Sequence, residues 1–178
     1  MYINSNTVLF GRTILLVPYG KHHVKKYHTW MENEEIRELT ASLPLSIDEE
    51  YEMQQTWLND KDKCTFIILS KEIFDRTHDE TVTGRHKGYG IETLYTFIRY
   101  AIEILNINRF IVKIGLKNLA SITLFTTKFH FLTIQTSEIF QEITMERHVD
   151  NEFIDLLHTK TPNYKIDFYN NIITNKKV

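Results

Sequence analysis

At 178 residues, 42% of them hydrophobic and 25% charged, the chain has the size and balance of one soluble globular domain with a sizeable core. A net charge of −2 excludes a global basic field, so neither nucleic acid nor membrane is an expected partner and any positive patch must be local. A lone cysteine, Cys64, excludes an internal disulfide and suits a reducing compartment; with no long apolar run or signal-peptide pattern, the expected location is the cytoplasm.

In chain order, "RTILLVPY" from Arg12 to Tyr19 is rich in aliphatics and ends at Pro18, which predicts a first strand. Between His22 and Thr40 the spacing of Val24, Tyr27, Met31, Ile36 and Leu39 predicts one or two helices. The next helix has a sharper signature, because Ser46 and Glu49 stand at capping-box spacing and Ile47, Tyr51, Gln54 and Leu58 fall on one face. "CTFIILS", Cys64 to Ser70, predicts a buried strand, and the polar run from Lys71 to Gly84 predicts mostly loop. Ile91, Leu94, Tyr95, Ile98, Ala101, Ile102 and Leu105 then keep helical spacing. Beyond them "RFIVKIG", Arg109 to Gly115, predicts a strand and Asn118 to Phe129 a shorter helix. "FLTIQT" and "EIFQEITMER" predict two more strands, the second with Ile139, Ile143 and Met145 on one face. Residues 149–178 hold one short helical run, "NEFIDLLH", and otherwise predict a polar, loosely held tail behind a domain of residues 1–148.

The chemistry is concentrated in "GRHKGYGIETLYTF", Gly84 to Phe97, a glycine-rich basic loop at the mouth of a helix. Glycine admits turns closed to other residues and lets the backbone approach a ligand, while a helix start adds unpaired N–H donors and the positive end of a dipole. With Arg85, His86 and Lys87 beside it, the arrangement suits a phosphate or pyrophosphate. A Walker loop would need Gly-Lys-Ser/Thr, and a dinucleotide fingerprint a third glycine and an acidic residue ending the next strand; both are missing. What fits is Arg-x-x-Gly-x-Gly at Arg85, Gly88 and Gly90, with Asn118 and Ser121 at the start of a later helix. The plainer readings are an ordinary basic turn, a helix cap at Asn118 with Ser121 as its neighbour, and strand packing for Cys64. "MENEEIRE" and "DEEYE" read as solvated acidic faces, with attraction of a basic amine as the sharper alternative. The eight histidines show no helix-spaced pair around a carboxylate, so no metal site is expected.

The Arg-x-x-Gly-x-Gly motif resembles the pyrophosphate loop of the GCN5-related N-acetyltransferase superfamily. Longer stretches, "NSNTVLFGRTILLVPY", "YHTWMENEEIRELTASLPLSIDEEYEMQQTW", "DKCTFIIL", "RHKGYGIETL" and "EIFQEITMER", are similar to the eukaryotic N-acetyltransferase 9-like family. They span most of residues 4–147, and the run from Glu35 to Trp57 is the most specific of them. The resemblance implies an α/β fold of the acetyltransferase type, with a mixed, mostly antiparallel sheet flanked by helices. It also implies transfer of an acetyl group from acetyl-CoA to a protein amine, tubulin being the substrate associated with the family. By the same resemblance, backbone N–H groups of His86, Lys87, Gly88, Tyr89 and Gly90 would hold the cofactor's pyrophosphate, with Arg85 and Lys87 offsetting its charge. Asn118 and Ser121 would line its pantetheine and thioester end.

The chain departs from that family pattern in two main ways. The fold calls for two more strands between "CTFIILS" and the glycine loop, where this chain has only Lys71 to Gly84. An internal deletion after Gly84 therefore removes two central strands that in the superfamily supply the oxyanion donor and often a glutamate base, and no catalytic residue is assigned. The sheet is expected either to pair "CTFIILS" directly with "RFIVKIG" or to leave an exposed groove. Phe125 stands where many members place a tyrosine that protonates the leaving thiolate. A non-catalytic interaction module of the same fold, with a cytoskeletal partner, is the alternative reading, and an incomplete reading frame across Gly84 and Arg85 is a third.

Overall fold

The computed structural model describes residues 2–80 and 88–174, so the expected site residues Arg85, His86 and Lys87 lie outside the described residues. The strands are β1 (Thr7–Phe10), β2 (Ile14–Pro18), β3 (Phe66–Ser70), β4 (Arg109–Gly115), β5 (Leu132–Ser137), β6 (Glu142–His148) and β7 (Lys165–Phe168). The helices are α1 (Val24–Met31), α2 (Glu34–Thr40), α3 (Ile47–Asn59), α4 (Lys71–Thr77), α5 (Tyr89–Glu103), α6 (Leu119–Lys128), α7 (Asn151–Lys160) and α8 (Tyr169–Thr174). Two compact units divide them: Met1–Phe97 with Lys160–Val178, and Ile98–Thr159.

In the first unit the most apolar run makes the central strand. All of β2 is buried, and it pairs antiparallel with β1 on one side and β3 on the other, Leu16 lying opposite both Leu9 and Ile68. The sheet order is β3-β2-β1-β7. Val8, Leu15, Val17, Ile67, Leu69 and Phe74 anchor the core, against which Ile47, Tyr51 and Leu58 of α3 pack. The start of α3 is set locally as its spacing predicts: Ser46 Oγ accepts from Glu49 N, and Glu49 Oε2 accepts from Ser46 N at 2.7 Å.

The second unit holds a three-stranded antiparallel sheet in the order β4-β6-β5, with β4 and β6 in register from Arg109 opposite His148 to Gly115 opposite Glu142. Phe125 of α6 lies 5.7 Å from the Phe129 ring and 5.1 Å from that of Phe131, so its place in the helix is one of aromatic packing.

Five expectations are corrected. The described part of the run expected to be mostly loop, residues 71–80, is mostly helix, because residues 71–77 form α4; Phe74 is buried in the core, and that single anchor holds a helix too short and polar to announce itself. Residues 149–174, expected to belong to a loose tail, are held, because β7 pairs with β1 through Thr7–Phe168 to Phe10–Lys165, and Tyr169 and Ile172 of α8 pack on the core. Ile139 does not share a strand face with Ile143; it sits in the turn before β6, 90% exposed. "DEEYE" is not wholly solvated, since Glu50 is 1% exposed. The direct pairing of "CTFIILS" with "RFIVKIG" is not formed: β3 and β4 end separate sheets, each with one strand neighbour among the described residues.

Candidate functional site

The glycine junction opens α5, a helix of 15 residues whose apolar spacing is as the sequence predicts. Gly88 has φ +73°, a backbone conformation that favours glycine, and a Cβ added at Gly88 or Gly90 would meet nothing within 4 Å. Open space over two glycines at the unpaired N–H groups of a helix start fits the approach of a phosphate. The first turn of α5 is fixed by Glu92, whose Oε1 accepts from the backbone N–H of Arg12 and, at 2.9 Å, from that of Thr13; its Oε2 accepts from the Thr13 hydroxyl. Gly11 makes room for this clasp, since a Cβ there would lie 2.5 Å from Glu92 Oε1 and 2.8 Å from Ile14 Cγ1.

Asn118 and Ser121 lie in the second unit, where they meet as a helix cap: Asn118 Oδ1 accepts from Ser121 N at 3.1 Å. Gly88, Tyr89 and Gly90 belong to the first unit. Burial pushes the Cys64 thiol up to about 11, in line with a packing role.

Beside the glycine junction the first unit holds a cavity of about 320 Å³ that reaches Tyr89 and Gly90. Thr65, Phe66, Ile67 and Ile68 all line it. Successive side chains of a strand point to opposite faces, so contact with four in a row means that the cavity runs along the β3 edge. Tyr19, Tyr27, Trp30 and Trp57 line it further, with Tyr19 and Tyr27 ring centres 5.3 Å apart. Tyr27, Met31 and Trp57 also line a second cavity, of about 240 Å³, together with Glu50. Burial raises the Glu50 carboxyl above its ordinary value, opposed by His28, whose Nδ1 is 3.8 Å from Glu50 Oε1. Glu50 Oε2 and the Tyr19 hydroxyl are buried without a hydrogen-bond partner among the described residues, and the Tyr19 phenol is raised by burial and by the Glu50 charge.

A second group, also absent from the sequence reading, surrounds Glu80. Its Oε2 accepts from the Tyr169 hydroxyl at 2.6 Å and lies 2.7 Å from His22 Nε2 and 3.2 Å from His23 Nε2. Burial pushes this carboxyl up, but hydrogen bonds from His22, His23 and Tyr169 outweigh it and hold Glu80 well below the usual carboxylate range. Two imidazoles and a carboxylate have the composition of a metal site. His23 Nδ1, however, accepts from Gly20 N at 3.0 Å, which leaves the proton on Nε2, facing Glu80. As folded, His22 and Tyr169 hydrogen-bond to Glu80 Oε2, and His23 Nε2 stands at ion-pair distance from the same oxygen.

Glu50 carried one legible signal: it stands three residues after Ile47 and four before Gln54, on the face predicted to be buried. His22, Glu80 and Tyr169 carried none, because only long-range folding brings them together.

No protein-family model matches the chain. Alpha/beta-tubulin-N-acetyltransferase 9 of Drosophila melanogaster is 37% identical over 189 aligned residues, covering 88% of this chain and 94% of that protein. An N-acetyltransferase 9-like protein of Caenorhabditis elegans is 42% identical over 178, covering 82% and 88%. The Drosophila alignment is longer than this chain, so that relative carries residues for which this chain has no counterpart. Among solved structures, a GCN5-related N-acetyltransferase from Brucella melitensis matches with a TM-score of 0.62 at 14% identity, over 85% of this chain and 82% of that one. A spermidine N-acetyltransferase from Vibrio cholerae, solved with CoA and spermine, matches with a TM-score of 0.60 at 14% identity, over 82% and 96%. The structural likeness gives the fold and the sequence likeness gives the kinship: the chain is an acetyltransferase of the N-acetyltransferase 9-like family, built on the GCN5-related fold.

Proposed function

We propose that the chain transfers an acetyl group from acetyl-CoA to a protein amine in the cytoplasm, and that tubulin is its substrate. The observation that carries this reading is the glycine junction: Gly88 at φ +73°, with open space over Gly88 and Gly90 where α5 begins, in a member of this family. The pyrophosphate would lie against residues 86–90, with Arg85 and Lys87 offsetting its charge. Asn118 and Ser121 would serve the thioester end while keeping their cap. Acetyl-CoA supplies the activated acyl group; the protein supplies proximity, placing a neutral amine against the thioester carbonyl. Phe125 has no proton to give, so the proton lost by the attacking amine would have to reach the leaving thiolate by way of solvent. The tubulin assignment rests on the Drosophila relative, named as an α/β-tubulin acetyltransferase.

Calorimetric titration with acetyl-CoA tests the cofactor reading. Gly88→Val puts a branched side chain at a positive φ and into the phosphate space, and is expected to abolish binding at any salt concentration. Arg85→Glu is expected to weaken binding most at low salt, because charge reversal is screened. Unchanged affinity in both variants overturns the assignment. Mass spectrometry of purified tubulin incubated with the chain and acetyl-CoA tests the substrate; no acetyl incorporation removes tubulin and leaves the cofactor result standing.

A further inference from the structure

We propose that Glu50, with the rings of Tyr27 and Trp57, forms a recognition site for an alkylammonium group of the acceptor protein. The proposal rests on the acetyl-transfer reading above and names the chemistry by which that acceptor is held.

Glu50 is 1% exposed, and its Oε2 has no hydrogen-bond partner among the described residues. Within ion-pair distance it has one basic neighbour there, His28 at 3.8 Å, which is too long for a hydrogen bond. A buried carboxylate left in this state is costly unless a cation joins it. Glu50 lines the 240 Å³ cavity together with Tyr27, Trp57, Met31, Met53 and Leu45. An apolar ligand would leave Oε2 unpaired, and an anion would be repelled. An alkylammonium would suit both parts of the cavity lining, its N–H donors on the Glu50 side and its methylene stem on the methionines, leucine and rings. Trp57 already accepts a cation, since Lys63 Nζ stands 5.6 Å from its ring centre. The site is also suitably placed: Tyr27, Met31 and Trp57 are shared with the cavity that reaches Gly90, so the two cavities adjoin across these side chains.

The test is a titration of the full chain with n-butylammonium and, separately, with uncharged 1-butanol, followed by calorimetry or by the fluorescence of its two tryptophans. The wild type is expected to bind butylammonium about tenfold or more tightly than the alcohol, and Glu50→Gln to remove that preference. Equal binding of the two probes by the wild type overturns the proposal without recourse to any substitution. Equal butylammonium affinity in wild type and a folded Glu50→Gln overturns it as well. Two peptides then name the source, one with a free N-terminus and no lysine, the other N-blocked with a single lysine. Displacement of butylammonium by either supports a protein acceptor, and displacement by neither overturns that assignment. An acetyl-CoA titration of the same wild-type protein keeps the two readings apart: Glu50-dependent ammonium binding without acetyl-CoA binding leaves this site standing and removes the cofactor reading.

Discussion

Two carboxylates in the first unit are buried to a similar degree and behave in opposite ways. Glu80, 5% exposed, has one oxygen reached by Tyr169, His22 and His23, and is held below the ordinary carboxylate range. Glu50, 1% exposed, has among the described residues a single imidazole at 3.8 Å and an oxygen with no hydrogen-bond partner, and burial raises it from its ordinary value. Burial penalises the charged form in both, so the direction is decided by the donors that surround it. A carboxylate that the fold supplies with donors is part of the fold; one buried without them is suited to a cation from outside.

The largest expected effect follows from breaking the Glu80 network. Glu80→Ala leaves the imidazole of His23, itself 2% exposed, without its carboxylate and removes the acceptor that ties Tyr169 of α8 to residues 22 and 23. Loss of one partner from such a buried pair costs about 3–5 kcal/mol, readable as a fall in the urea midpoint at pH 7. A loss within the range of an ordinary surface substitution would show that the network is not structural. Gly11→Ala sharpens the comparison at a third carboxylate, Glu92, which takes two backbone donors and a hydroxyl. Its new Cβ would lie 2.5 Å from Glu92 Oε1, and the expected cost of displacing the clasp is about 1–3 kcal/mol. Stability equal to wild type would show that α5 does not depend on this contact.

The parts of the fold that were legible in the sequence are those decided locally. Ser46 and Glu49 cap α3 by their spacing alone, the aliphatics of β2 mark a strand, though the second and not the first as expected, and α5 has period enough to be read without context. The family was legible too, from Arg85, Gly88 and Gly90 and from the run Glu35 to Trp57. What escaped was decided at a distance. α4 depends on Phe74 reaching a core built by other segments, and β7 on pairing with a strand at the opposite end of the chain. Glu50 escaped for another reason: its position in the helix is apolar and its side chain is charged, and charge alone argues for solvent. Such conflicts between position and side chain are where functional residues are to be sought.

The contrast between the two carboxylates has a direct measurement. Glu50 has a folded pKa above its unfolded value near 4.5, so its contribution to stability is full below that value and is lost as pH rises through the folded pKa. For Glu80 the folded value is depressed, so its contribution is present above the unfolded value and is lost as pH falls through the folded one. Urea unfolding of the wild type, Glu50→Gln and Glu80→Gln is therefore to be followed from acid to pH 8. Glu50→Gln is expected to raise the midpoint at pH 8 and to converge on the wild type in acid, while Glu80→Gln lowers the midpoint at pH 8. A Glu50→Gln midpoint that falls at pH 8 as that of Glu80→Gln does would contradict the account, because it would mean that the folded protein already supplies the Glu50 carboxylate with its partners.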